Sequence, residues 1–157
     1  MTTETKILRV KFHEKPYVIE RHGDWYDLKT AEEVHMRRGD FKYISLGISV
    51  ELPKGYEAIV APRSSAFNKY GIVMTNSIGI IDEAFNGDGD IWHFPALCLW
   101  KETTIPEGTR ICQFRIVEHQ PDLLFTISSL LGNENRGGLG STGEWNTMLI
   151  FILKIKY

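Results

Sequence analysis

A candidate phosphate-binding element lies where a strand-like run of sequence meets a helix-like run. Residues 56–61 are rich in β-forming side chains, and Pro62-Arg63-Ser64-Ser65 follows them at the start of a short stretch that favours a helix. Free N–H groups of a first helical turn, two hydroxyls and a guanidinium would converge there, and this combination suits a phosphate. The alternative is structural: Ser64 caps the helix and Arg63 is solvated.

A single carboxylate follows an apolar strand-like run further along the chain. The segment Asn76-Ser-Ile-Gly-Ile-Ile-Asp82 contains Gly79, which lets a ligand approach the backbone closely, and Phe85 beyond it can supply a flat apolar wall. If the two isoleucines are buried in a rigid strand, Asp82 is well placed to orient and deprotonate a water. The alternative is a β-hairpin whose acidic side chains face solvent.

A glycine-rich segment near the C-terminus supplies a second candidate anion site. In residues 136–143, RGGLGSTG, successive glycines allow backbone N–H groups to curl around an anion, and Arg136, Ser141 and Thr142 add further donors. The segment lacks the lysine of a P-loop and follows no strand, which excludes Walker-type nucleotide binding. The alternative is a flexible linker.

Gln113 lies in a β-rich run over residues 110–117. Strand alternation places it on the face opposite Cys112, Phe114 and Ile116, so it points outward if those three point into the core. Together the four stretches supply two anion-binding elements, one positioned carboxylate and an aromatic wall on a β scaffold. This inventory fits hydrolysis of a phosphorylated small molecule, with a divalent cation to offset polyphosphate charge.

Hydrophobic alternation with a period of two dominates the chain and indicates strands. Many short strands separated by turns favour an all-β sandwich or barrel. Helix signals are few: a capping box at Thr30-Ala31-Glu32-Glu33 predicts about two turns that end near Gly39, and residues 64–70 favour a second short helix. The strongest strand signal covers 44–52, and weaker ones cover 6–12, 56–61, 72–75, 91–100, 110–117 and 123–127.

Length and composition favour one compact domain followed by a polar arm. The chain has 157 residues, of which 43% are hydrophobic and 24% charged, ordinary proportions for one globular domain. We expect a β-rich domain over residues 1–131, a mobile Gly-rich arm over 132–143 and an apolar extension of unknown role over 144–157. Within the extension, residues 148–155 either add a strand at a subunit contact or form a poorly ordered, aggregation-prone run.

Charge and cysteine usage exclude several function classes. The 18 Lys and Arg against 20 Asp and Glu leave a net charge of −2, so no global positive field attracts nucleic acid or an anionic membrane. The most apolar stretch, residues 148–153, is far shorter than the ~20 residues needed to span a bilayer, and the N-terminus lacks a signal-peptide core, so we expect a cytoplasmic location. Cys98 and Cys112 lack CxxC spacing and predict neither a disulfide framework nor a zinc site.

These stretches resemble, in order, the five motifs of the homotrimeric dUTPase family. The second, third and fifth resemblances are specific, whereas the first and fourth are weak by themselves. The runs GDWYDL, IDEAFNGD and RICQFRI are also similar to the branch found in Gram-positive bacteria and their prophages. The five counterparts are Trp25-Tyr26-Asp27-Leu28, Pro62-Arg63-Ser64-Ser65 with Gly71, Gly79-Ile80-Ile81-Asp82 through Gly87, Arg110-Ile111-Cys112-Gln113, and Arg136-Gly137-Gly138 with Gly140-Ser141-Thr142-Gly143.

The resemblance implies a distorted jelly-roll fold of the β-clip type, a homotrimer with active sites at subunit interfaces, and Mg²⁺-dependent hydrolysis of dUTP to dUMP and pyrophosphate. It implies that Asp82 activates the attacking water and that Phe85 packs beneath the deoxyribose. Asp27 and Gln113 would orient waters around the metal or the nucleophile, with Asp27 binding Mg²⁺ through water. The remaining implied contacts are Asn76, Gly79, Ile80 and Ile81 to the uracil edge, Arg63, Ser64 and Ser65 to phosphates from a neighbouring subunit, and Arg136, Gly140, Ser141 and Thr142 to the β- and γ-phosphates.

Three features depart from the family pattern. The sugar-wall position, usually Tyr, is Phe85, which keeps the ring and therefore the discrimination against ribose. The arm position that usually carries an aromatic over the uracil is Leu139. We hypothesise that Trp92 or Phe94 provides this lid instead, because both follow a slightly lengthened hairpin; the alternative is that both are core residues. The resemblance also ends near Gly143, before the apolar extension.

Two other functions are open from the sequence alone. A dCTP deaminase of the same superfamily needs an acid/base glutamate, but this chain has Gly-Ile-Ile-Asp82 and no matching Glu-bearing segment. A dUTPase-like protein that binds nucleotide and regulates a protein partner is favoured by the phage-like motifs. Since the expected catalytic positions are filled, we expect such regulation as an added role rather than binding without turnover.

Overall fold

The computed structural model of the protein describes residues 5–137. The chain divides into two compact units, Met1–Pro121 and Asp122–Tyr157. Every strand and helix of the described range lies in the first unit, whereas residues 122–137 contain no regular element. The all-β class expected from the sequence is therefore confirmed for the first unit. The segment boundaries at 131 and 143 stay predictions, and the apolar extension 144–157 lies outside the described residues.

Within residues 5–137, twelve strands and one short helix make up the first unit. A five-stranded sheet has the order β2-β3-β12-β7-β9, and a three-stranded sheet has the order β5-β10-β8. Two antiparallel pairs, β1 with β6 and β11 with β4, complete the unit. The elements are β1 Arg9–Phe12, β2 Arg21–His22, β3 Trp25–Lys29, β4 Val34–Arg37, β5 Phe41–Ser45, β6 Ile48–Glu51, β7 Tyr56–Pro62, α1 Ser65–Tyr70, β8 Ile72–Met74, β9 Gly79–Ile81, β10 His93–Cys98, β11 Glu102–Ile105 and β12 Arg110–Glu118.

The strongest alternating run of the sequence forms the centre of the core. Its apolar members from Ile44 to Leu52 are all buried, as the period of two predicts. The run is nevertheless two strands rather than one, because Gly47 adopts a φ of 66° and breaks the extended backbone between β5 and β6. Each half then joins a different sheet, β5 pairing with β10 and β6 with β1.

The predicted helix that begins at Thr30 is wrong. Val34 and Met36 are buried while His35 and Arg37 are exposed, and this alternation belongs to strand β4, which pairs with β11. The Thr30 hydroxyl does not cap a helix; it donates to the Pro106 carbonyl at 2.9 Å and accepts from the Thr109 N–H at 3.1 Å. Tertiary pairing has therefore overridden a local capping signal.

The second predicted helix is confirmed as α1. It ends at Gly71, whose φ of 63° is left-handed and whose N–H donates to the Phe67 carbonyl. Among the residues described, no helix reaches the length and apolar character that crossing a membrane requires.

The predicted β-rich run at 123–127 is not a strand. Leu124 is 92% exposed and Ile127 is fully exposed, so this run has no buried face to stabilise a strand within the second unit. A strand needs a partner for its backbone and a surface for its apolar side chains, and the described part of this unit offers neither.

Both cysteines pack as small buried hydrophobes, as expected. Cys98 and Cys112 are free thiols with no exposed surface. Burial raises the pKa of Cys112 far above its ordinary value, and the nearby charge of Asp27 raises it further. The Cys112 thiol is therefore protonated at neutral pH.

We expect Gly71→Ala to destabilise the protein much more than Gly23→Ala. The two glycines have nearly the same left-handed φ, 63° and 64°, so alanine costs each about 1 kcal/mol of backbone strain. A Cβ at Gly71 would overlap Cγ and both Cδ atoms of the Trp100 ring, whereas a Cβ at Gly23 meets nothing within 4 Å. Overpacking adds roughly 1–3 kcal/mol at Gly71 alone. Urea denaturation at equal protein concentration measures the difference, and equal midpoints for the two variants would contradict it.

Candidate active site

The residues of the third predicted motif line one cavity of about 340 Å³. Its walls come from β9, the loop that follows β9, and neighbouring strands of both larger sheets. Phe85 is 42% exposed there and presents an apolar ring to the opening. The predicted site residues that share this lining are Asn76, Gly79, Ile80, Ile81, Asp82 and Phe85.

Strand β9 places its two isoleucines on opposite faces. It pairs antiparallel with β7, so that Ile80 lies opposite Ile59 and Ile81 opposite Ala58. Ile81 packs against the core, but Ile80 is 55% exposed. The expectation that both are buried is therefore wrong for Ile80, because successive side chains of a strand point to opposite faces.

Asp82 stands directly after β9, at the edge of this cavity. Its Oδ1 accepts a hydrogen bond from the Ala84 N–H at 2.8 Å, and its carbonyl accepts one from the Phe85 N–H at 3.2 Å. The side chain is exposed, so water has access to a carboxylate whose orientation is held by a local turn. This arrangement suits a base that acts on a bound water.

The structural alternative predicted a β-hairpin whose acidic side chains face solvent. The segment is instead a loop, because β9 and β10 belong to different sheets, and not all of its acidic side chains face solvent. Glu83 accepts a hydrogen bond from the Gly55 N–H, and Asp90 accepts one from the Gly87 N–H at 2.7 Å. Asp88 is solvent-exposed and forms a long ion pair of 3.5 Å with Lys11. Two of the three therefore anchor the loop on either side of Phe85, which keeps Asp82 at the cavity.

Trp92 and Phe94 are core residues, and their proposed role as a lid is wrong. They are 1% and 0% exposed, and the Trp92 ring packs edge-on against Phe114 with centroids 5.4 Å apart. Strand alternation explains this, since residues 92 and 94 share the inward face and His93 faces outward. Trp92 contributes to the inner wall of the cavity, from which it cannot close over a ligand.

A second cluster is centred on Asp27, a buried carboxylate that is 1% exposed. Its Oδ2 accepts a hydrogen bond from Arg63 and another from Arg110 at 3.2 Å, while Nδ1 of His22 lies 3.1 Å away. Gln113 of β12 is the residue that pairs with Asp27 on the adjacent strand β3. Three of the sequence-predicted residues are therefore neighbours: Asp27 on β3, Gln113 on β12, and Arg63 directly after β7.

The structural alternative for the phosphate-binding element is also wrong. Arg63 is an ion-pair partner of a buried carboxylate rather than a solvated side chain. The Ser64 side chain is exposed and makes no capping hydrogen bond, although Ser64 occupies the N-cap position of α1. Ser65 follows as the first helical residue.

Within one chain, the cluster around Asp27 does not line the cavity that contains Asp82. Neither Asp27 nor Gln113, nor any residue from Arg63 to Ser65, lines the cavity that contains Asp82. Arg136 belongs to the second unit and is exposed there. Leu139, Gly140, Ser141 and Thr142 lie outside the described residues.

Sequence reasoning included Arg110 in the fourth motif without giving it a role, and it did not identify His22 or Tyr43 as members of these sites. Arg110 reaches Asp27 because the pairing of β12 with β3 shifts register between Arg110 and Cys112. Ile111 and Cys112 are adjacent and both buried, whereas a regular strand would direct one of them outward. This adjacent apolar pair is the sequence signal of the irregularity.

A larger cavity of about 740 Å³, lined mainly by apolar side chains such as Leu8, contains none of the predicted site residues.

Several known proteins are similar to this chain over most of its length. A family model described as dUTPase matches residues 22–143. The SPbeta prophage-derived deoxyuridine 5'-triphosphate nucleotidohydrolase of Bacillus subtilis is 50% identical over 121 residues, which cover 77% of this chain and 84% of that protein. The deoxyuridine 5'-triphosphate nucleotidohydrolase of Neorickettsia sennetsu is 34% identical over 137 residues, covering 83% of this chain and 88% of its own.

Solved structures show the same fold. A Staphylococcus bacteriophage 80alpha dUTPase matches with a TM-score of 0.74 at 24% identity, over 89% of this chain and 100% of that chain. The dUTPase of Streptococcus mutans matches with a TM-score of 0.64 at 22% identity, over 76% and 98%. The expected jelly-roll fold is thereby confirmed. A family model that spans most of the sequence, together with a relative that is half identical, shows that this chain belongs to the dUTPase family.

Proposed function

We propose that this protein hydrolyses dUTP to dUMP and pyrophosphate, with Asp82 as the base for the attacking water. The observation that supports this most strongly is the common cavity of Asp82, Phe85 and the β9 backbone. Its volume of about 340 Å³ is at the lower end of the range for small-molecule sites and suits one nucleoside.

The chemistry assigned to Asp82 is general base catalysis. Its carboxylate takes a proton from a water molecule, whose oxygen attacks the α-phosphorus of dUTP. The bond between the α-phosphorus and the bridging oxygen breaks, and pyrophosphate leaves with that oxygen. The hydrogen bond from Ala84 orients the carboxylate beforehand, so little rearrangement is needed when substrate binds.

The nucleoside would be recognised mainly by backbone groups and one ring. Asn76, Gly79, Ile80 and Ile81 would contact the uracil edge, for which a strand end supplies N–H and C=O groups in fixed directions. Phe85 would pack beneath the deoxyribose and leave no space for a 2′-hydroxyl. The loop that carries Phe85 is anchored through Glu83 and Asp90, which supports a rigid wall.

The phosphates would be bound by residues from more than one subunit. Arg63, Ser64 and Ser65 lie apart from the Asp82 cavity of their own chain, so we propose that a neighbouring copy presents them in a homotrimer. Asp27 holds the Arg63 guanidinium in place for this role. Arg136, Gly140, Ser141 and Thr142 would cover the β- and γ-phosphates once substrate is bound.

The donor chemistry fits a Mg²⁺ ion held mainly through substrate and water. The described residues contain no group of three or more His, Cys, Asp or Glu side chains that could hold a metal directly. Oδ1 of Asp27 is buried without a hydrogen-bond partner among them, so it can accept a hydrogen bond from a metal-bound water, and Gln113 faces it. When bound, Mg²⁺ would offset the triphosphate charge and polarise the phosphoryl oxygens. A dUTPase from phage phi11 of Staphylococcus aureus is described as coordinating a structural Mg(II) ion.

The substrate assignment is tested by pyrophosphate release from each deoxynucleoside triphosphate and from UTP. We expect rapid release from dUTP alone, and its loss when EDTA removes Mg²⁺, because the triphosphate charge is then unshielded. We expect no pyrophosphate release from UTP, because the Phe85 ring would leave no space for its 2′-hydroxyl. Ammonia release from dCTP would instead assign the protein to the deaminases, and unchanged turnover in EDTA would refute the Mg²⁺ requirement.

Asp82→Asn is expected to lower kcat by roughly 10²–10⁴-fold while KM for dUTP stays within a few-fold, because the base acts mainly in the transition state. Asp88→Asn is the matched control: it makes the same chemical change on the same loop at a side chain that is 92% exposed. Steady-state kinetics of both variants distinguish a specific role of Asp82 from a general effect of the charge on this loop. Near-native turnover of Asp82→Asn would eliminate Asp82 as the base.

Removal of residues 136–157 is expected to abolish most turnover, by ~10²-fold or more, while leaving the first unit folded, since that unit ends at Pro121. A chain shortened only to Gly143 retains every assigned phosphate contact and should keep its activity. Circular dichroism and urea denaturation report the fold, and pyrophosphate release reports turnover. Unfolding of the shorter chain, or full activity in it, would contradict the assigned role of the arm.

A further inference from the structure

We propose that Tyr43 is a further nucleoside-binding residue of this site, whose ring covers one side of the bound pyrimidine. The inference rests on the proposed function and adds a contact from a strand that none of the sequence motifs includes. Tyr43 lines the cavity that contains Asp82, and yet 68% of its surface is exposed. It therefore stands at the opening of the cavity rather than in its wall.

The position of the Tyr43 ring is determined by its strand. Tyr43 is the central residue of β5 and pairs with Pro95 of β10, so its backbone is fixed in the three-stranded sheet. The next residue, Ile44, is buried, and alternation directs the Tyr43 side chain to the opposite, outer face. The backbone thus presents this ring to the cavity without any contribution from a mobile loop.

Two neighbouring rings restrict the orientation of Tyr43. Phe41 packs nearly perpendicular to it with centroids 5.0 Å apart, and His93 does the same at 6.3 Å. His93 is itself held by a 2.8 Å hydrogen bond between its Nδ1 and the Ile91 carbonyl. A ring held on two sides loses little conformational entropy when a ligand packs on it, which favours binding.

The chemistry of the cavity lining explains which part of a nucleotide this ring would contact. Phe85 and Tyr43 are the two exposed phenyl rings among the described lining residues. A nucleoside offers two surfaces of different kinds, a sugar and a flat base, and Phe85 is assigned to the sugar. Base–aromatic stacking is worth about 5- to 150-fold in affinity per base, so Tyr43 has a measurable role if it contacts the pyrimidine.

The test measures nucleoside binding separately from hydrolysis. Binding of dUMP by calorimetry and steady-state kinetics with dUTP are compared for wild type, Tyr43→Ala, Tyr43→Leu and Tyr43→Phe. Tyr43→Ala is expected to weaken dUMP binding and raise KM for dUTP by about tenfold, with kcat within twofold. Tyr43→Leu, which keeps an apolar side chain without a ring, should bind dUMP as weakly as Tyr43→Ala does. Tyr43→Phe should bind dUMP as tightly as wild type does.

Lys42→Ala is the matched control, because it truncates the neighbouring side chain of the same strand, which is exposed and does not line the cavity. We expect it to change KM by less than threefold. Inhibition by pyrophosphate should be the same in all variants, since pyrophosphate has no base. An effect of Lys42→Ala equal to that of Tyr43→Ala would point to strand β5 as a whole and overturn the proposal.

The outcomes separate this inference from the proposed function. If wild type hydrolyses dUTP and Tyr43→Ala binds dUMP as tightly as wild type does, the role of Tyr43 is refuted and the enzyme assignment stands. If wild type binds dUMP through Tyr43 but does not hydrolyse dUTP, the catalytic proposal fails alone. If wild type neither binds dUMP nor hydrolyses dUTP, both are overturned. Urea denaturation of Tyr43→Leu and Tyr43→Phe identifies any loss that reflects unfolding.

Discussion

The structure depends on one buried carboxylate and the cations that compensate for it. Burial of an ionised Asp27 would be very costly if Arg63 and Arg110 did not donate to it. Asp27 lies on β3, Arg63 directly follows β7, and Arg110 begins β12. Both arginines contact the same oxygen, Oδ2 of Asp27, so this ion-pair network connects the three central strands of the five-stranded sheet. Because β7 also pairs with β9, the same network supports the strand at whose end Asp82 lies. Paired strands therefore link Arg63 to Asp82, the proposed base, although Arg63 does not line the cavity that contains Asp82.

Much of the fold follows from local alternation, and the exceptions have identifiable causes. The buried run from Ile44 to Leu52 was predictable because one face of each strand packs on the core. The capping box at Thr30 was misleading because its hydroxyl is used by a loop more than 70 residues away, a contact that no local pattern encodes. The apolar run at 123–127 has strand composition but no pairing partner among the described residues. Propensity is a weak guide where long-range pairing decides the structure.

The candidate site was predictable where its residues are contiguous in sequence. Asn76 to Phe85 form one strand end and its turn, so their proximity is a consequence of chain connectivity. Tyr43 could not be found in this way, because the pairing of β5 with β10 brings it to the cavity. Trp92 and Phe94 show the opposite error: their composition suggested a ligand contact, but alternation buries both. Asp27 was identifiable as a candidate site residue, whereas its contact with Arg110 depends on a register irregularity in β12.

The burial of both native thiols has a practical consequence for spectroscopy. Only a thiolate that reagents can reach is alkylated at a useful rate, and Cys98 and Cys112 are fully covered, the latter with a strongly raised pKa. A cysteine introduced at an exposed position would be the one thiol that maleimide dyes or nitroxide spin labels modify in the folded protein. Distances and motions within the protein are then accessible by fluorescence transfer or paramagnetic resonance without first removing the natural cysteines.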